Sequence, residues 1–98
     1  MVAVETTDDG KVCIRFNEYE VFTFPGDDRM DHLLTSRHAT ITSAYGNRLR
    51  INRGDNAVDL EFAYAKGKGH EVSVRVIMSN LEYIRLLGNI KAAQHRVV

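Results

Sequence analysis

Covalent staples are scarce in this sequence. Cys13 is the single cysteine among 98 residues. An intrachain disulfide is thereby excluded, and so is a zinc site built on a cysteine cluster. Small secreted domains ordinarily depend on disulfides, so a reducing, cytoplasmic location is expected. Pro25 is the only proline and tryptophan is absent. No apolar run approaches the ~20 residues that span a bilayer, so no membrane partner is expected. The first residues, Met-Val-Ala-Val-Glu-Thr-Thr-Asp-Asp, lack the basic region and apolar stretch of a secretory leader.

Chemistry-bearing motifs are equally sparse. There is no G-x-x-x-x-G-K-[ST] phosphate loop and no G-x-S-x-G setting around Ser36, Ser43, Ser73 or Ser79. Cys13 has no His placed by sequence to activate it. Lys66-Gly67-Lys68-Gly69-His70 is glycine-rich but joins two strand-like runs, so it has no helix N-terminus to offer a phosphate. Asp27-Asp28-Arg29-Met30-Asp31 matches the D-D-x-x-D spacing that binds magnesium diphosphate in large all-helical enzymes. In a short, β-rich chain it reads as an acidic helix start, favourable to the helix dipole. Asp28 and His32 stand four apart, with His38 beyond, but spacing supplies no further metal ligand. His70 and His95 are isolated. Arg53-Gly54-Asp55 is the integrin-binding tripeptide, yet it falls where a hairpin turn needs Gly and Asp. These readings lead to an expectation of no catalytic residues, no metal and no cofactor.

What is present is globular. Hydrophobic residues make up 44% of the chain and charged residues 27%, enough apolar side chains to build one core in one domain over residues 1–98. Net charge is zero but uneven. Residues 1–31 sum to −5 and the remainder to +5. Such a split can be neutralised within the fold, or can serve a polar partner or self-association.

Glycine and Asx residues punctuate the chain at short intervals, as in an antiparallel meander. Asp8-Asp9-Gly10 separates a strand over residues 2–7 from one over 11–16. Asn17-Glu18 marks a bulge or tight turn before a strand at 19–24, which Pro25-Gly26 ends. Residues 28–35 can form a short helix, capped by Asp27 or Asp28, with Met30, Leu33 and Leu34 facing the core. Residues 39–45 are strand-like, and Gly46-Asn47 is a hairpin candidate. A two-residue loop there puts Ile41 and Tyr45 on a charged face; a three-residue loop buries them.

The strands that follow alternate cleanly. Leu49 and Ile51 oppose Arg48, Arg50 and Asn52. Val58, Leu60, Phe62 and Tyr64 oppose Asp59 and Glu61. Val72, Val74 and Val76 oppose Ser73 and Arg75. A four-residue loop over 53–56 would set Arg50 against Asp59 and Arg48 against Glu61. A three-residue loop over 67–69 would set Arg75 against Glu61 and Val74 against Phe62. One face is then apolar and the other carries a row Arg48–Glu61–Arg75. Ser79-Asn80-Leu81-Glu82 is a capping box opening a helix over about 80–95. Tyr83, Leu86, Leu87, Ile90 and Ala93 form its apolar stripe, and Gly88 beside them suggests a close approach to the sheet.

The expected fold is therefore α+β and mainly antiparallel. Six or seven strands form a meander-like curled sheet or barrel, closed by the C-terminal helix. The expected function is a non-catalytic binding or assembly domain acting through protein contacts, including self-association, because β-rich folds can recruit partners at sheet edges. Val97-Val98 beyond the helix would add apolar contact. The alternative is nucleic-acid binding by the basic unit Arg48, Arg50, Arg53, Lys66, Lys68, His70 and Arg75, with Tyr45 as a stacking side chain.

Overall fold

A computed structural model describes residues 2–26, 30–43 and 46–97. Among the described residues, seven strands and two helices follow one another as β1 (Ala3–Thr6), β2 (Lys11–Arg15), β3 (Val21–Pro25), α1 (Asp31–Leu34), β4 (His38–Thr42), β5 (Arg48–Arg53), β6 (Ala57–Ala65), β7 (Glu71–Ser79) and α2 (Asn80–Val97). The strands form two antiparallel meanders, ordered β1-β2-β3 and β4-β5-β6-β7. They do not close into a barrel. Pro25 is the last residue of β3, opposite Lys11, and α1 lies between β3 and β4 in the chain, so among the described residues no hairpin joins the two sheets.

The turns follow local chemistry. Thr7 N–H donates to the Lys11 carbonyl across Asp8-Asp9-Gly10, and Gly10 takes the left-handed conformation at φ 82°. Phe16 N–H donates to the Glu20 carbonyl, making Asn17-Glu18-Tyr19 a tight turn rather than a bulge. The Asn17 side-chain oxygen stabilises it by accepting from the Tyr19 and Glu20 amides. Ser43 N–H donates to the Asn47 carbonyl, which fixes a three-residue loop. That parity buries Ile41 opposite Leu49, as the longer-loop alternative requires. Tyr45 lies outside the described residues.

Helix α1 begins at Asp31 with Met30 as its N-cap and no side-chain cap bond. It is shorter than the span 28–35 suggests, and the capping candidates Asp27 and Asp28 lie outside the described residues. Asp31 accepts from Lys91 Nζ at 2.8 Å and Gln94 Nε2 at 3.1 Å, so this acid docks α2.

Strands β6 and β7 pair in the expected register, with Glu61 opposite Arg75 and Phe62 opposite Val74. Strands β5 and β6 pair two residues away from the expected register: Arg50 faces Glu61, Leu49 faces Phe62 and Arg48 faces Ala63. The expected four-residue loop is too long. The strands continue to a turn in which Gly54 N–H donates to the Ala57 carbonyl. Because side chains alternate with a period of two, this shift leaves the apolar face intact and changes only the charge partners.

One hydrophobic core joins the elements. Phe62 of β6 lies parallel to Phe16 at 5.5 Å and edge-on to Phe22 at 5.8 Å, so aromatic contacts bridge the two sheets. Tyr64 Oη donates to Glu20 at 3.1 Å and ties the sheets again. Helix α2 lies against β1, β2, β6 and β7, burying Tyr83, Leu86, Ile90 and Ala93. Its capping box is formed: Glu82 N–H donates to Ser79 Oγ at 3.1 Å, and Ser79 N–H donates to the Glu82 carboxylate at 3.3 Å. Gly88 makes no close approach. It is exposed, and a Cβ there would meet nothing within 4 Å. None of the described helices is long and apolar enough to cross a membrane.

Candidate binding surface

The outer face of the four-stranded sheet carries most of the basic residues singled out in the sequence. Its arginines are already engaged. Arg48 reaches diagonally past its small strand partner Ala63 to Glu71, at 2.5 Å. Arg50 pairs with Glu61 at 3.6 Å. Arg75 grips Asp59 with its Nε at 2.9 Å from both carboxylate oxygens, and with Nη2 as well. The guanidinium holds the Asp59 carboxyl below its usual range, against the opposing effect of burial. The expected row Arg48–Glu61–Arg75 is thus Arg50–Glu61–Arg75 by register.

Arg53 is committed elsewhere. Its guanidinium sits 5.2 Å from the centre of the Tyr83 ring and donates to the Thr35 carbonyl at 3.0 Å. Its backbone N–H donates to the Arg37 carbonyl at 2.7 Å. Tyr83 Oη in turn donates to the Leu34 carbonyl, and burial pushes its phenol up to about 12. Arg53 therefore joins the ends of β5, α1 and α2. The neighbouring Gly54-Asp55 lies in the turn, with the Asp55 carbonyl accepting from Asn80 Nδ2 at 2.7 Å.

Lys66, Lys68 and His70 lie together at the β6–β7 tip, all exposed and without an ion pair among the described residues. They stand apart from Arg53, which belongs to the opposite end of the sheet. Val97 is the last residue of α2 rather than beyond it; its side chain and Val98 lie outside the described residues, as do Asp27 and Asp28 of the acidic motif. His38 Nδ1 lies 2.9 Å from Asn52 Oδ1, and no group of three His, Cys, Asp or Glu side chains suited to a metal occurs among the described residues.

The feature that residue-by-residue reading missed is the free edge of β7. This strand runs nine residues, Glu71–Ser79, and among the described residues β6 is its only strand neighbour. Lys66 N–H donates to the His70 carbonyl at the hairpin tip. By antiparallel alternation, Val72, Val74 and Val76 then bond to β6, while Glu71, Ser73 and Arg75 direct backbone N–H and C=O groups outward. The strand has no proline and no inward-pointing charge, two usual guards against edge pairing. Val72, Val74 and Val76 on its inner face remain half-buried, unlike Leu49, Ile51 and Leu60 of the inner strands. A signal was present in the sequence: the last strand of a meander is an edge unless the sheet closes into a barrel.

No family model, no curated protein and no solved structure matches this chain.

Proposed function

We propose that this chain is a non-catalytic binding or assembly domain acting through protein contacts, with the β7 edge as its contact surface. The observation that carries this reading is the long open edge, whose outward amides and carbonyls can accept a further strand. The half-buried valines supply apolar surface for the same event. Strand addition gives affinity through the main chain and leaves specificity to alternate side chains.

Ion pairing of Arg48, Arg50 and Arg75 weighs against nucleic acid as the partner, since neutralised arginines release fewer counterions from phosphates. Only the Lys66, Lys68 and His70 tip supports that alternative. Titration with single-stranded and duplex oligonucleotides in ~50 mM salt separates the two, because phosphate contacts are strongest there. Tight binding would replace the protein-contact reading.

The direct test compares wild-type protein with Ser73→Pro. Proline at 73 removes an outward N–H and leaves the bonds to β6 in place. The expected result is that association with protein, whether a captured partner or the chain itself, is lost in the variant. Equal association by both proteins, or none by the wild type, overturns the proposal.

A further inference from the structure

Resting on the protein-contact reading, we infer that the occupant of the β7 edge is β7 of a second copy. The two strands would lie antiparallel about a twofold axis through Ser73, continuing the sheet from one copy to the other.

Symmetry limits the choices. A twofold perpendicular to the sheet keeps inner side chains on the inner face, so the axis must pass through a residue rather than between two. Charge then selects among residues. An axis at Arg75 would set that arginine against itself. Axes at Val74 and Val76 set Glu71 and Arg75, respectively, opposite Ile77 or leave them without a charged partner. An axis at Ser73 sets Glu71 opposite Arg75 of the second copy, twice.

The backbone agrees with that choice. Glu71, Ser73 and Arg75 are the residues whose amides and carbonyls face outward, so they form the hydrogen-bonded pairs of the new ladder. On the inner face Val72 meets Val74 of the second copy, covering side chains now half-exposed. On the outer face the existing ion pairs need not break. Arg48 holds Glu71 in one copy and Asp59 holds Arg75 in the other, so the seam becomes a row of alternating sign: Arg48, Glu71, then Arg75 and Asp59 of the second copy.

Steric access points to the same half of the strand. Val76, Ile77 and Met78 border a cleft shared with Glu82 and Leu86 of α2 and with Val2. No residue of the Glu71–Arg75 half lines that cleft, and it is the half that the Ser73 axis uses.

Sedimentation of the full chain tests this. Wild-type protein is expected to form dimers as concentration rises, and Ser73→Pro to remain monomeric. Glu71→Lys opposes two lysines to two arginines across the seam, and Arg75→Glu opposes acids to acids. Each variant alone should dimerise about tenfold more weakly than wild type. Mixed, they should form a heterodimer of near wild-type affinity, because every seam pair is again opposite in sign. Circular dichroism checks that each variant is folded; if Ser73→Pro is not, the mixing experiment carries the test. A wild-type monomer at about 1 mM, or a mixture no tighter than its components, overturns the inference. If the wild type is monomeric but captures another protein through Ser73-dependent contacts, the second copy is excluded while the protein-contact reading stands. If association is indifferent to Ser73→Pro, both fall.

Discussion

Tyr83→Phe removes one oxygen from the point where α1, β5 and α2 meet, and its effect divides into two parts with different pH dependence. The Tyr83 side chain is 1% exposed, and its hydroxyl donates to the Leu34 carbonyl. Without it that carbonyl loses its tyrosine partner, at a cost of about 1–3 kcal/mol near neutral pH. The second part concerns ionisation. Burial raises the Tyr83 phenol from 10.0 to about 12, with the Arg53 guanidinium opposing the shift. Between those values the folded state keeps a proton that the unfolded chain has released. The stabilisation is complete below pH 10 and is lost as pH rises toward about 12. Each pH unit in that window is worth about 1.4 kcal/mol, so wild-type protein should lose about 2–3 kcal/mol across it from this group. Tyr83→Phe cannot lose it. Urea unfolding followed by far-UV circular dichroism, at pH 8 and at steps up to pH 12, should show the stability gap between the two proteins closing in alkali. Lysine and other tyrosine titrations cancel in the difference. A gap that stays constant from pH 8 to 12 would refute the burial assigned to Tyr83.

Three further substitutions probe other parts of the account. Gly88→Ala lies on an exposed helix surface with open space around the new Cβ, so thermal or urea unfolding should show a gain of about 0.5–1 kcal/mol. A loss would restore the close approach that the sequence suggests. Ser79→Ala deletes the N-cap acceptor for the Glu82 amide and should cost about 1 kcal/mol, measured the same way; no loss would mean that the capping box does not hold the helix start. Glu61→Ala removes the acid between Arg50 and Arg75. It should lower the thermal midpoint slightly, by about 0–1 kcal/mol of stability, with the difference shrinking in high salt. A large, salt-independent loss would mean that Glu61 faces the core.

The hairpins were legible in the sequence where a glycine fixed the loop length. Gly10 marks the first, and Gly67 with Gly69 marks the β6–β7 tip, whose register follows from those residues. The β5–β6 register was not, because Arg53-Gly54-Asp55-Asn56 contains no residue that dictates where pairing stops. A shift by two preserves every apolar contact class, so hydrophobic pattern has no power to detect it. The outer face suffers for this: Glu61 answers Arg50, and Arg48 finds Glu71 across Ala63. The long-range ties were also hidden. Arg53 looked like a basic tip residue and stacks on Tyr83, thirty residues on; Asp31 looked like part of a metal motif and docks Lys91. Division into two sheets, with α1 between β3 and β4 in the chain, is a tertiary effect without a local signature.

The central claim is that β7 is an open edge that closes on a second β7 about Ser73. Residue-resolved amide exchange of the wild-type chain tests it most directly. In dilute protein the Val72 and Val74 amides should be protected by their bonds to β6, while those of Glu71, Ser73 and Arg75 exchange freely. As concentration rises, the Ser73 amide should become protected together with those of Glu71 and Arg75, with Val72 and Val74 little changed. Rapid exchange of Ser73 at every concentration, or concentration-independent protection matching that of Val74, would contradict the account.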